Sequence, residues 1–495
     1  MILINNGELT LKISLGMPNQ WRDETIDQIQ GYYHWEKITL QKETRFLRFE
    51  VESAGAELTE ICLLDYEGNR LPITSINPEG QLGPGYEKLV DEQEKITLPI
   101  DFMSETYFDE IYFVRAAEDY LNSRNPYENT HPPLGKEIIA LGILILGFSP
   151  FSWRISGVIF ATLMIPVLYV LGKELTKSWI WGAVAAFLFA LDFMHFTMSR
   201  IATVDTYVVF FSLASQIFFY KYLMKVLEGK KGQIYWVLLS WAIFFSLAFS
   251  TKWYAIFGLL GQFFLLIACH SRWITRIGVA LRAERFGLNN AKIFIIFLGV
   301  AGAVYFFTFI PQIKMGYGVI EIIKEQFSMF SYHYELVATH PFSSPWYSWP
   351  IIFRPVWLWT SEFSDSLVSN IVALGNPAVW WFGVIAIIHC VFRFFKKRDL
   401  PTLFIITIFS YQWLSYALIS RPLFLYHYYI NVPILCIAIS LFLKDIWSNK
   451  NHRILIFIYL AIVIYLFITF YPIISGIPAS RDLIDSLKWF NSWTF

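Results

Sequence analysis

Charge is what this chain is short of. Only 16% of its 495 residues are Asp, Glu, Lys or Arg, against 56% hydrophobic and 19% aromatic. Soluble domains carry about 25% charged residues, so an ordinary soluble protein is excluded. The 39 basic and 39 acidic residues cancel, but the charges are segregated, so the balance itself says little about partners; no nucleic-acid partner is expected. The cysteines Cys62, Cys269, Cys390 and Cys436 lie far apart, three of them in apolar runs. They form neither a disulfide framework nor a metal spacing and read as small buried apolar residues. No signal peptide opens the chain, and no run in the first hundred residues is long enough to span a bilayer. No clear internal repeat is found, and the ionisable residues cluster at one face rather than mid-span, unlike a transporter's.

What is present is apolar length. A crossing helix needs about 20 apolar residues, and such runs occur near 153–171, 179–197, 203–224, 234–249, 253–269, 293–311, 377–394, 401–419, 427–443 and 454–473. The fold class expected is mainly α: a polytopic helical membrane domain over 153–475. Glu137–Phe148 is apolar but short and follows two prolines, which suits a helix lying at the interface. Lys and Arg gather in alternate loops, at 173–177, 225–231, 272–285, 393–398 and 444–453, and the positive-inside rule makes those loops cytoplasmic. The other loops, the 312–376 segment and the 476–495 tail are then external.

Residues 1–100 differ in character. Arg45–Ser53 alternates apolar and polar positions as a half-buried strand does, Glu57–Ile73 reads as two strands turning at Glu67-Gly68-Asn69, and Lys95–Ile100 as another. Pro78–Gly85 has a loop composition. These imply a small external β-sandwich, jelly-roll-like and similar to discoidin or galactose-binding modules, with carbohydrate binding or simple packing as its alternatives. Its external placement, with nothing upstream to carry it across, leads us to expect that a preceding membrane helix is missing from the chain.

Residues 101–152 form the stretch around which the chemistry is organised. Ionisable groups at the edge of a membrane domain are costly and mark sites. Asp109 and Glu110 are adjacent carboxylates, and either suits a general base that takes a proton from an attacking hydroxyl. In His131-Pro132-Pro133-Leu134-Gly135-Lys136 the prolines fix a rigid corner that aims His131 and Lys136. Lys136, Arg154, Arg200, Lys252 and Arg421 sit at the external ends of separate spans, an arrangement that suits a lipid phosphate; snorkelling to the interface is the alternative for each. Asp205 is placed to pair with one of these cations. Thr339–Pro350 adds His340, Trp346, Tyr347 and Trp349, aromatic edges that stack on sugars or form an interfacial belt.

FDEIYF, THPPLGK, Trp153-Arg154, SRIATVDTYVVFF (Ser199–Phe211), STKWYAIFG (Ser250–Gly258), THPFSSPWYSWP and RPLFLYHYYINVP (Arg421–Pro433) occur in this order. Over roughly 105–475 the chain resembles the protein O-mannosyltransferase family of GT-C glycosyltransferases. That resemblance implies an inverting transfer of mannose from a polyprenyl phosphate to a protein Ser or Thr, at the external face of a bacterial plasma membrane. Asp109 would be the base and Glu110 would shape the acceptor site. Arg154, Lys252, Arg200 and Arg421, with Lys136, would hold the donor phosphate. His131, His340, Trp346, Tyr426 and His427 would meet sugar or acceptor. The lipid-linked donor is the one small-molecule partner implied; no metal is required, though a divalent ion stays open. The loop at 312–376 is too short for the MIR domain of eukaryotic members, which points to a bacterial type. The alternatives are a GT-C enzyme acting on a lipid or cell-wall glycan, of the aminoarabinose-transferase kind, and a non-catalytic lipid-phosphate binder or transporter.

Overall fold

The structure is a computed structural model, and it describes the chain except residues 1, 7–8, 30–32, 41, 52–57, 80–84, 97, 229–233, 271–288 and 365. It divides into two units, Met1–Arg115 and Ala116–Phe495.

In the first unit, seven strands form two antiparallel sheets. They are β1 (Ile2–Asn6), β2 (Leu9–Met17), β3 (Gln20–Ile29), β4 (His34–Ile38), β5 (Phe46–Val51), β6 (Leu58–Leu64) and β7 (Arg70–Leu71). One sheet runs β4-β1-β6-β7 and the other β3-β2-β5. Buried Leu11 and Ile13 of β2 pack with Ile38 of β4 and Ile61 of β6, so both sheets supply one apolar core. The strand expected at Arg45–Ser53 is β5. The expected turn between β6 and β7 is also present: Asp65 Oδ1 accepts from the N–H groups of Glu67 (2.9 Å) and Asn69 (2.8 Å), and Gly68 takes the positive φ of 85° that the turn needs. Among the described residues of Lys95–Ile100 there is no strand. Lys95 closes a 3-10 turn (Gln93–Lys95), and Pro99 removes a ladder donor. Its apolar side chains, Ile96, Leu98 and Ile100, still pack on Cys62 and Leu64. The Pro78–Gly85 loop falls largely outside the described residues. Strands β1 to β4 were not read from the sequence.

Helix α1 (Glu110–Leu121) follows. The second unit is helical: α2 (Leu134–Leu146), α3 (Pro150–Thr176), α4 (Trp179–Ala190), α5 (Phe193–Ser199), α6 (Asp205–Leu227), α7 (Ile234–Phe249), α8 (Ala255–His270), α9 (Asn289–Phe307), α10 (Ile310–Lys314), α11 (Val319–Glu335), α12 (Pro377–Lys397), α13 (Leu400–Leu414), α14 (Val432–Trp447) and α15 (Arg453–Ser475). A helix stands at each of the ten expected crossings. Five of the described helices are long and apolar enough to cross a membrane: α3, α6, α12, Leu425–Trp447 and Lys450–Ser475. The expected crossing at 179–197 is bent by 62° between α4 and α5. There Asp192 stops one helix and caps the next, accepting from His195 N–H (3.2 Å). Helices α7, α8 and Lys292–Phe307 are apolar but shorter. Helix α2 turns Leu141, Leu144, Ile145 and Leu146 outward, as an interfacial helix does.

Close backbone approach sets the packing of α3 on α4: a Cβ on Gly182 would lie 2.8 Å from the Lys173 nitrogen. At the Lys397 end of α12, Asp445 of α14 accepts from Arg393, from Lys397 (3.3 Å) and from His389 Nε2 (3.1 Å). The long segment 312–376 holds more order than a loop: α11, a 3-10 turn (Trp346–Ile351) and a hairpin of β8 (Val356–Ser364) and β9 (Leu367–Ala373).

Candidate active site

In the first unit the two adjacent carboxylates differ. Glu110 is fully buried at the start of α1, and its Oε2 accepts the Tyr107 N–H at 3.1 Å. Asp109 is half-buried. It follows Phe108, a bulky residue held at φ 51°, in the sparsely populated left-handed region.

In the second unit the best-defined structure is the loop before α2. Glu128, 8% exposed, folds it inward. Its Oε1 accepts from the N–H groups of Thr130 (2.9 Å) and His131 (3.1 Å) and lies 2.9 Å from His131 Nδ1. Lys136, 1% exposed, donates to Glu128 Oε2 (2.8 Å), to the Glu128 carbonyl (2.7 Å) and to the His131 carbonyl (2.8 Å). An ammonium has three donors, and all three are spent inside the loop. Burial alone would raise the Glu128 carboxyl, but the charges and hydrogen bonds of Lys136 and His131 outweigh it and hold the group well below the usual range. His131 is pushed down, chiefly by burial, against the pull of Glu128. Pro133 caps α2 with φ −75°, where a proline fits because the first helical N–H groups have no partner anyway. Leu134 N–H then donates to the Ser250 carbonyl (3.2 Å). Gly135 is required by contact: a Cβ there would sit 2.5 Å from Val204 Cγ1 and 3.2 Å from Thr251 Cγ2. The motif is thereby docked against the residues that precede α6 and α8.

Those residues carry the second cluster. Lys252 Nζ donates to Asp205 Oδ1 (2.9 Å) and Oδ2 (3.1 Å), with Lys252 7% and Asp205 4% exposed. Asp205 opens α6, where the helix dipole favours an anion. The third donor of Lys252 has no partner among the described residues. Tyr254 Oη donates to Asp205 Oδ1 at 3.4 Å. The Lys252 ammonium also lies 5.8 Å from the Tyr426 ring, which stacks on His427 (4.8 Å) and Phe424 (5.4 Å). His427 is 3% exposed and parallel to Trp349 at 6.0 Å. His340, exposed, meets Phe424 edge-on at 5.0 Å.

His333 on α11 joins the clusters. Its Nε2 donates to the Thr130 carbonyl (2.9 Å), its Nδ1 accepts from Arg421 Nη1, and its ring lies 5.1 Å from that of His131. Burial, then the charges of His131, Arg421 and Lys252, push its pKa down to about 3, so it is neutral.

Of the residues read from the sequence, the structure therefore brings His131 and Lys136 together around Glu128, Lys252 to Asp205 and Tyr426, His427 and His340 to one aromatic group, and Arg421 to His333. Arg154 is buried on α3 against Trp153 (6.0 Å), and Arg200 follows α5 with its guanidinium 5.4 Å from the Phe196 ring. Trp346 is half-buried against Trp413 (5.5 Å). Two organisers were missed. Glu128 carried only a faint signal, an acid three residues before a histidine and eight before a lysine. His333 lies outside every motif. A further buried node joins the bend: Asp192 Oδ2 accepts from Asn376 N–H (3.1 Å) and Trp380 Nε1 (2.9 Å), and His195 Nδ1 meets Tyr429 Oη at 2.7 Å.

Residues 147–315 match the family model described as dolichyl-phosphate-mannose-protein mannosyltransferase. Residues 319–493 match that described as the C-terminal four transmembrane region of protein O-mannosyltransferase. The polyprenol-phosphate-mannose–protein mannosyltransferase of Mycobacterium tuberculosis is 25% identical over 456 residues, 78% of this chain and 86% of the relative. That of Corynebacterium glutamicum is 23% identical over 470 residues, covering 78% and 88%. The structure of the Saccharomyces cerevisiae protein O-mannosyltransferase Pmt1-Pmt2 complex bound to the sugar donor superposes with a TM-score of 0.68 at 15% identity, over 79% of this chain and 89% of that one.

Proposed function

This chain belongs to the protein O-mannosyltransferase family, and from that premise we propose that it transfers mannose from a polyprenyl phosphate to a Ser or Thr hydroxyl of a protein. Transfer takes place with inversion, at the external face of a bacterial plasma membrane. The acceptor oxygen attacks the anomeric carbon while Asp109 takes its proton; the bond from that carbon to the phosphate oxygen breaks, and the electron pair leaves with the polyprenyl phosphate. One displacement of this kind needs a base and a stabilised leaving group, and no covalent nucleophile. Asp109 is favoured over Glu110 because Glu110 is buried and already accepts the Tyr107 N–H. Lys252, Arg421, Arg154 and Arg200 hold the phosphate and neutralise its developing charge. Lys136 drops out of that set and becomes the clasp of the 128–136 loop. His427, Tyr426, His340 and Trp346 face sugar or acceptor.

The observation that carries this reading is the Lys252 corner. A desolvated ammonium keeps one donor beyond Asp205 and stands against a stack of aromatic rings with polar edges, the surroundings a phosphate bearing a sugar asks for. The test is transfer of labelled mannose from synthetic polyprenyl-phosphate-mannose to a Ser/Thr-rich peptide by the purified protein in lipid. Labelled peptide with the anomeric configuration opposite to the donor's is expected. Label found only in a lipid or glycan fraction, or retained configuration, would overturn the reading.

A further inference from the structure

Where α11 ends, the chain leaves the helix at Leu336 with extended backbone, φ −64° and ψ 103°. Val337, Ala338 and Thr339 are exposed, Val337 at 96%. None of their backbone N–H or C=O groups has a partner among the described residues. Entered from extended backbone, this open segment can offer a partner the N–H and C=O groups of alternate residues, and such an edge is a template for another extended chain. This edge does not face open solvent alone. With Tyr334 and His340 it lines a cleft of about 570 Å³ that Ser420 and Arg421 also line. That volume lies within the range of about 300–1,000 Å³ typical of ligand sites.

Side-chain contacts link the cleft wall to the Lys252 cluster. His340 on its wall touches Phe424, which stacks on Tyr426 and His427, and the Tyr426 ring lies 5.8 Å from Lys252 Nζ. Arg421 is tied through His333 to the Thr130 carbonyl of the motif loop. Arg421 is also the one Lys, Arg, Asp or Glu among the lining residues, so the cleft tolerates neutral and acidic side chains and repels basic ones.

Resting on the transferase reading, we propose that this cleft is the acceptor subsite. In it an extended segment of the acceptor polypeptide adds as a strand beside Val337–Thr339, over about 10 Å at the usual strand rise. Recognition through the main chain gives affinity with little demand on side chains, as an enzyme serving hydroxyls in varied sequences requires.

The experiment measures KM for a Ser/Thr peptide and, separately, for polyprenyl-phosphate-mannose, with the full chain in lipid. Val337→Pro and Ala338→Pro, made separately, each remove one N–H at a position outside helix and sheet, and because adjacent residues point their N–H groups to opposite edges, one of the two lies on the pairing edge. That variant is expected to raise the peptide KM about fivefold, the worth of one net hydrogen bond, and to leave the donor KM within twofold. Peptides N-methylated at successive amides, tried on the unmodified protein, should lose binding at every second position, because a paired strand alternates its N–H groups. Equal KM for all peptides together with an unchanged peptide KM in both Val337→Pro and Ala338→Pro would overturn the subsite while transfer itself still stands. A raised donor KM with an unaltered peptide KM would overturn it too, giving the cleft to the lipid. Absence of any transfer by the unmodified protein would sink the transferase reading and this subsite with it.

Discussion

Glu128→Gln removes the charge that holds Lys136 and leaves side-chain size nearly unchanged. The glutamine oxygen can still accept from the Thr130 and His131 N–H groups, but its amide turns a donor toward an ammonium only 1% exposed. Breaking a buried ion pair from one side costs about 3–5 kcal/mol, a large share of the ~5–15 kcal/mol that holds a typical fold. Lys136→Met introduced alongside removes the stranded charge, and buried pairs replaced by apolar groups often cost little. The double variant should thus recover most of the loss. The assay is residual mannosyl transfer, and helical signal, after heating in lipid or detergent. The pH dependence has a definite sign. The Glu128 carboxyl is depressed in the folded state, so its contribution is fully present above the unfolded value of about 4.3 and is lost as pH falls through the folded value. The heat resistance of the unmodified protein over Glu128→Gln should be constant from about pH 5.5 to 8 and shrink below about pH 4. Equal heat resistance at pH 7, or an advantage that grows on acidification, would refute the clasp.

Gly135→Ala should lower the inactivation temperature by an amount matching about 1–3 kcal/mol of overpacking, since its Cβ would sit 2.5 Å from Val204 Cγ1; Val204→Ala added to it should restore the loss, measured by the same heating assay. Asp205→Asn strands the Lys252 ammonium and should cost about 3–5 kcal/mol of stability. Adding Lys252→Met should return heat resistance without returning transfer, and an active double variant would remove Lys252 from phosphate binding. Asp109→Asn should abolish transfer while polyprenyl phosphate still binds, measured by protection of the protein against heating; full activity in the transfer assay would remove Asp109 from the mechanism.

The helical part was legible because about twenty apolar residues in a row leave few alternatives to a crossing, and each expected position holds a helix. Its interruptions were less legible. Asp192 sits in an apolar run; it caps the next helix locally, through His195 N–H, but the partners that satisfy its other oxygen, Asn376 and Trp380, lie far along the chain. The motif loop was readable as a rigid corner because proline geometry is local, and Asp205 was placed to find a cation. Which acid would organise that corner was not readable, since Glu128 acts through folding back on His131 and Lys136. Likewise His333 earns its place only when α11 is laid beside Thr130 and Arg421, a tertiary fact. In the first unit Leu11, Ile13 and Leu15 alternate as a strand should, yet the β2 register depends on partners in β3 and β5. At Lys95–Ile100 the alternation was real and the strand was not, because Pro99 and the preceding turn deny it a ladder while leaving its apolar side chains a core to fill.

The bend at Asp192 also sets an order of events during synthesis. Two of its donors, the Asn376 N–H and the Trp380 indole, lie 184 and 188 residues downstream. A nascent chain that has delivered only α4 and α5 therefore holds a carboxylate whose Oδ2 partners have not yet been made, and in hydrocarbon an unsatisfied polar group costs several kcal/mol. Until α12 arrives, that oxygen depends on water or headgroups for a partner, so the bend completes its hydrogen bonds only after most of the chain has been made.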